Sequence, residues 1–218
     1  MKKSCILILV VSFQICFCQI GIGAASPNAF YESLYFKDFK YEYKDIKGTP
    51  YTNTDFQLAQ IGEYKDVPVR YNSYTDSFEF KQNGANYILP KEDNLSTIIL
   101  QNRNKRFILS DVDGKKQYLE EVNKDAGLYK KNTTIFKEFK KAATTYEQDY
   151  PPTFEQIPPK YYWIKNDKSA IEVSKKNIEK SFPESQKALK DYVRKNNLSY
   201  DREQDLVKIL SFLNGVSS

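Results

Sequence analysis

The chain has 218 residues, with 33 Lys and Arg against 28 Asp and Glu, a formal charge of +5 and no His. Its three Cys are Cys5, Cys16 and Cys18, and its single Met is Met1. Beyond residue 18 there is no thiol or imidazole, which excludes Ser-His-Asp and Cys-His nucleophiles and thiolate or imidazole zinc sites from the rest of the chain.

The first element is a leader. Met1-Lys2-Lys3 is a short basic start, and Ile6 to Val11 is an unbroken apolar run. Together they predict a secretory signal peptide over residues 1–18. The apolar run is shorter than the ~20 residues that a membrane-spanning helix needs, so no transmembrane helix is expected after cleavage. Cys16 and Cys18 supply the small residues before a cut that leaves Gln19 first; a cut after Ala25 would leave Ser26 first. Either cut removes all three Cys. It also removes Lys2 and Lys3, so the charge falls from +5 to +3. A lipid anchor on Cys16 or Cys18 fits poorly, because Ile15 and Phe17 precede them. The expected setting is exported: periplasmic, outer-membrane-associated or secreted.

"GIGAAS" at 21–26 has two glycines but no third, no preceding strand and no Lys-Ser/Thr pair, so it is not a phosphate loop. Residues 19–47 form an aromatic-rich N-terminal segment in which Phe39, Tyr41 and Tyr43 recur at period two. Its Lys residues are matched by Glu32, Asp38, Glu42 and Asp45, which leaves no net positive field for phosphates and no nucleic-acid partner.

From residue 48 to about 131 short strands alternate with turn signals, the pattern of an antiparallel meander. Val67, Val69 and Tyr71 share one strand face, and Pro68, which lacks a ladder donor, suggests an edge strand or a strand start. Phe78 and Phe80 alternate with Ser77, Glu79 and Lys81 before Asn83-Gly84, a hairpin pair, and Tyr87 to Leu89 return. Thr97 to Leu100 pairs in the same way with Phe107 to Leu109, and Asp113-Gly114 turns the chain towards Gln117 to Leu119. "DVDGKKQYLEEV" at 111–122 opens like a calcium loop. It fails at its fifth, sixth and twelfth positions, occupied by Lys115, Lys116 and Val122. Glu120 and Glu121 fall on opposite strand faces, poor geometry for paired-carboxylate catalysis.

"TYEQDYPP" at 145–152 is echoed by "TFEQIPP" at 153–159, and this Pro-rich stretch reads as a surface loop or a stiff docking arm over 145–159. Tyr161, Tyr162 and Trp163 beside it, with Tyr150, Pro151 and Pro152 in it, form the candidate binding surface. Tyr161 to Ile164 and Ala170 to Val173 read as the last strands, around a turn at 166–168. The period then lengthens. Ser174 caps a helix carrying Ile178 and Phe182; Ala188, Leu189, Tyr192 and Val193 stripe a second that ends at Asn196-Asn197. Leu206, Ile209, Leu210 and Leu213 stripe a third, with Asp201 and Gln204 as a capping pair and Gly215 just past its end.

The fold class that follows is α+β: a β domain over 48–173, an antiparallel meander curling into a barrel or sandwich, with C-terminal helices over 174–214 packed on the sheet. "QIGIG", "KGTPY" at 47–51, "VPVRYNSYTDSFEF" at 67–80, "YYWIK" at 161–165 and the tail from Ser174 to Asn214 resemble a family of secreted or periplasmic proteins of the Bacteroidota, especially flavobacteria. The resemblance implies a cell-envelope setting and supplies no catalytic residues. The functional expectation is a non-catalytic envelope interaction module or accessory subunit with no cofactor and no metal, its partner an envelope protein. The alternative is a glycan- or lipid-binding β domain. A carboxylate-based hydrolase ranks third, since Asp and Glu abound but nothing in their spacing points to a cleft; a Ser-Lys enzyme has no motif, because no Ser is followed three residues on by Lys.

Overall fold

A computed structural model describes residues 41, 43–165 and 169–216. The leader with its Cys pair, the Gly-x-Gly, Phe39 and the 166–168 turn lie outside the described residues.

The described residues form one ten-stranded sheet and three α-helices. The strands are β1 (Gln57–Ile61), β2 (Tyr64–Asn72), β3 (Ser77–Gln82), β4 (Ala85–Ile88), β5 (Thr97–Leu100), β6 (Lys105–Val112), β7 (Lys115–Asn123), β8 (Leu128–Lys137), β9 (Thr153–Trp163) and β10 (Ile171–Glu172). Their order is β10-β9-β8-β7-β6-β5-β1-β2-β3-β4, and every neighbouring pair is antiparallel. Two meanders are joined by one return, from β4 back to β5 beside β1. The architecture is therefore α+β with an antiparallel meander sheet.

Local chemistry sets the hairpins. Asn83 and Gly84 hold φ of 51° and 80° between the paired residues Gln82 and Ala85, and Asp113 and Gly114 hold 52° and 78° between Val112 and Lys115. Both central residues lie in the left-handed region, as a two-residue hairpin turn requires. Pro68 does not mark an edge strand, because β2 lies between β1 and β3. It faces Leu58 on β1, while β3 reaches only as far as Val69. The missing N–H thus falls where the β3 ladder has ended.

The sheet rolls on itself. Phe78 on β3 and Tyr118 on β7 are five strand positions apart, ~24 Å on a flat sheet, yet their ring centroids are 5.0 Å apart. Tyr71 and Phe107 complete this interior, with Phe107 5.1 Å from Phe78 and 5.4 Å from Tyr71. At one end the roll is closed by hydrogen bonds. The Thr134 N–H donates to Ser73 O at 3.1 Å, and the two hydroxyls are 2.6 Å apart. The alternation of apolar residues on β2, β3, β6 and β7 supplies this core.

Helices α1 (Lys175–Ser181), α2 (Gln186–Lys195) and α3 (Glu203–Val216) cover a second cluster. Ile178, Leu189, Leu206, Ile209, Leu210 and Leu213 are fully buried against Leu128 and Trp163. Ser174 caps α1 as expected, its side chain accepting from the Asn177 N–H at 3.1 Å. The Asp201–Gln204 cap gives way to another arrangement. Asp201 pairs with Ser199, while the Asp205 carboxylate reaches back to the Ser199 N–H at 3.1 Å. Gly215 lies inside the last turn of α3, which runs to Val216.

Residues 153–159 are strand, not loop. They form the first part of β9 and pair with β8 from Lys137 to Thr133. Pro158 and Pro159 fit because the register shifts there: Lys131 faces Lys160 and Thr133 faces Ile157, so the two prolines lie opposite Asn132 in a bulge.

Candidate interaction site

The β8–β9 connection continues the ladder beyond the sheet. Lys137 faces Thr153, and an isolated bridge then joins Lys140 and Tyr150 by two N–H···O bonds of 2.9 and 2.8 Å. Further out, the Ala142 N–H donates to Asp149 Oδ1 at 2.8 Å and the Ala143 N–H to Glu147 Oε2 at 3.1 Å. Residues 138–152 therefore form a hydrogen-bonded hairpin tip.

Its base is fixed from two sides. Lys47 bridges to this strand: its N–H donates to Pro152 O at 2.9 Å and its C=O accepts from the Phe154 N–H at 2.8 Å. Gly48 holds φ of 76°, and a Cβ there would lie 2.3 Å from Phe154 O, so only glycine allows this approach. On the other side the Phe136 and Phe154 rings meet tilted at 5.1 Å, Tyr74 joins Phe154 edge-on at 5.3 Å, and the Tyr41 hydroxyl accepts from the Phe139 N–H.

The tip displays Tyr146 at 97% exposure, Tyr150 at 59% and Phe139 at 45%, the highest values among the described large aromatics. Beside Tyr150 runs a groove of about 800 Å³ whose walls include Lys47, Lys137, Lys140, Glu138, Glu147 and Glu155. Lys137 and Glu155 are ion-paired across it. The groove is thus a mixed-charge surface with one aromatic face.

The residues singled out from sequence divide between different surfaces. Tyr150 lies at the groove with Pro151, and Pro152 is buried. Tyr161, Tyr162 and Trp163 do not form a platform, because successive strand residues face opposite ways. Tyr161 and Trp163 pack into the helical cluster, and Tyr162 packs on the other face with Val112 and Leu119. Trp163 is 5% exposed. The Tyr161 hydroxyl donates to Glu203 at 3.1 Å, and burial, then Glu203, push its pKa up to about 12.

A second cavity, about 690 Å³, lies among the helices, with Val173, Val193 and Tyr200 as apolar walls and Glu179, Lys190 and Arg194 at its margin. Burial, followed by Glu179, raises the pKa of Tyr200.

Three ionic centres, two buried and one half-buried, escaped the sequence reading. Glu79, on the strand face taken as polar, is 0% exposed and is gripped by Arg70 at 2.7 Å and Tyr51 at 2.9 Å. Glu120 accepts from Lys105 at 2.6 Å and Asn132 at 2.7 Å. Asp76, half-buried in the β2–β3 turn, meets Lys91, Lys131 and Tyr71. The available signal was proximity along the turn: Tyr71 and Asp76 bracket the β2–β3 connection. Their lysine partners come from remote strands. Among the described residues no cluster of three or more His, Cys, Asp or Glu is arranged to hold a metal, and no helix is long and apolar enough to cross a membrane.

No family model matches the chain, and neither a curated protein nor a solved structure matches it significantly.

Proposed function

We propose that the protein is a non-catalytic interaction module of the cell envelope whose contact element is the β8–β9 hairpin tip. One observation carries this reading: Phe139, Tyr146 and Tyr150 are exposed together on a hydrogen-bonded scaffold. Exposed aromatics clustered on a pre-ordered support suit an interface, because they bury large area with few torsions to freeze. The envelope setting rests on the basic start and apolar run of residues 1–11.

Strand addition at the β9 edge is less favoured. β10 covers only Tyr162 and Trp163, and Lys47 covers Thr153, so Glu155 to Lys160 are left without an outer ladder partner among the described strands. That stretch carries Pro158 and Pro159, which lack donors, and the charged Glu155 and Lys160, features that blunt an edge. Glycan binding in the groove is the second reading, favoured by Tyr150 and the six charged walls.

A triple variant, Phe139→Ser, Tyr146→Ser and Tyr150→Ser, should retain its melting temperature, since these side chains are exposed. A photo-crosslinker at position 144, read in the native host, should label a defined envelope protein in the wild type and lose it in the triple variant. Labelling unchanged by the triple substitution would refute the reading. Labelling of polysaccharide instead would favour the glycan reading.

A further inference from the structure

Where the sheet rolls closed, three side chains and one backbone N–H converge on one carboxyl group. Asp76 sits in the β2–β3 turn at φ 55°, a position set by Asn72, whose Oδ1 accepts from the N–H groups of Tyr74 and Thr75 at 3.1 Å each. Lys131 reaches it from β8 and is 7% exposed, with Tyr71 at 3% and Tyr118 at 1% around the pair. Lys131 Nζ touches Asp76 Oδ1 directly. The Tyr71 hydroxyl donates to the same Oδ1 at 2.7 Å and accepts from Lys131 Nζ at 3.2 Å. Lys91 Nζ lies 2.6 Å from Oδ2, and the Tyr118 N–H lies 3.3 and 3.4 Å from the two oxygens.

A solitary ion pair explains part of this arrangement. Lys131, however, is 7% exposed and its ammonium lies over the Tyr71 ring, so it loses much of its hydration, while the half-buried Asp76 carboxylate loses part of its own. Burial is also the largest influence on Lys131 and lowers its pKa, against the opposing pull of Asp76. The neutral amine, the nucleophilic form, is thereby made more accessible. A donor for each carboxyl oxygen is already in place.

We propose that Lys131 and Asp76 join in an intramolecular isopeptide bond. One proton passes from the ammonium to the carboxylate within the pair, giving amine and carboxylic acid at unchanged total charge. The Lys131 Nζ lone pair then forms the N–C bond to Asp76 Cγ. Negative charge developing on Oδ2 meets Lys91 Nζ and the Tyr118 N–H, an oxyanion-hole arrangement. The Cγ–Oδ1 bond breaks as Tyr71 hands its proton to Oδ1, and Tyr71 recovers a proton from Nζ through the hydrogen bond already pointing that way. The ammonium and carboxylate become an amide and one water, with no oxidant, reductant or co-reactant. Burial, then Asp76, holds the Tyr71 pKa well above its ordinary value, so the phenol keeps the proton it must deliver.

The bond would tie the β2–β3 turn to β8 at the seam that Ser73 and Thr134 already close. Residues 41–216 contain no Cys, so a disulfide cannot serve there. The inference is independent of the hairpin-tip reading.

The test is the intact mass of the purified full chain after denaturation. The expected value is one water below that of the processed sequence, and tryptic digestion should give a branched peptide joining the segments around Asp76 and Lys131, without cleavage after Lys131. Lys131→Arg and Asp76→Ala should restore the unmodified mass. Tyr71→Phe, which conserves the ring, should give a mixture whose linked fraction rises slowly with time. A wild-type mass equal to the unmodified sequence, or cleavage after Lys131 at full yield, overturns the proposal. So does a water loss mapped to Asp113-Gly114, where succinimide formation gives the same mass change.

Discussion

Tyrosines give the molecule its clearest pH dependence. Burial raises the Tyr71 and Tyr118 pKa values, with Asp76 as the second cause, and Tyr161 is pushed up to about 12 by burial and Glu203. A phenol whose folded pKa exceeds its unfolded value of ~10 keeps its proton in the fold after the unfolded chain has lost it. Its stabilising contribution is full below pH ~10 and is lost as pH rises through the folded value. Urea unfolding should therefore show a midpoint that is steady up to about pH 9.5 and falls above it, and Tyr161→Phe should flatten part of that fall. Equal midpoints at about pH 9.5 and about pH 11.5 would contradict this. Burial, the larger cause, acts whether or not Asp76 retains its charge. Residue chemistry of this kind was hidden from the sequence. Period two places Glu79 on the face opposite Phe78 and Phe80 but does not say that Tyr51 and Arg70 will cover it.

Elements differed in how far they could be read, and the reason is the range of the interaction that defines each. Asn83-Gly84 and Asp113-Gly114 specify their hairpins within four residues, and Ser174 caps α1 within three, so local sequence was enough. The start of β9 was missed because Pro158 and Pro159 look like loop unless Asn132, on another strand, opens a bulge opposite them. Likewise the Tyr161-Tyr162-Trp163 run looked like one surface until the helices covered one face and Val112 and Leu119 the other. Gly48 gives this level a direct test. Alanine there meets Phe154 O at 2.3 Å in a backbone conformation that L-residues rarely adopt, and relief requires the Lys47 bridge to separate from Thr153. Gly48→Ala should cost more than ~1 kcal/mol in urea unfolding and speed hydrogen exchange at Lys47 and Phe154. Unaltered exchange at Phe154 would show that the base of the tip does not depend on this contact.

At the scale of the whole molecule the question is whether the aromatic roll and the helical layer unfold together. Their core side chains are separate sets: Tyr71, Phe78, Phe107 and Tyr118 on one side, and Trp163 with Leu206, Ile209, Leu210 and Leu213 on the other. Covalent continuity alone would not couple them, but β8 belongs to both. Leu128 packs beneath the helices, while Lys131 and Thr134 on the same strand hold the seam of the roll. Lys130, between them, is ion-paired with Glu203 of α3 at 3.1 Å and lies 3.9 Å from Glu120 of β7. A strand cannot keep its register at one end while its ladder dissolves at the other without breaking hydrogen bonds shared with β7 and β9. Leu210→Ala, a cavity in the helical layer, should therefore lower stability by ~2–5 kcal/mol in both parts at once. Trp163 emission reports the helical layer, and near-ultraviolet dichroism of the packed tyrosines reports the roll. Coincident shifts of the two urea midpoints are expected; a tyrosine transition that keeps its wild-type midpoint while the Trp163 transition moves would divide the molecule into two folding units.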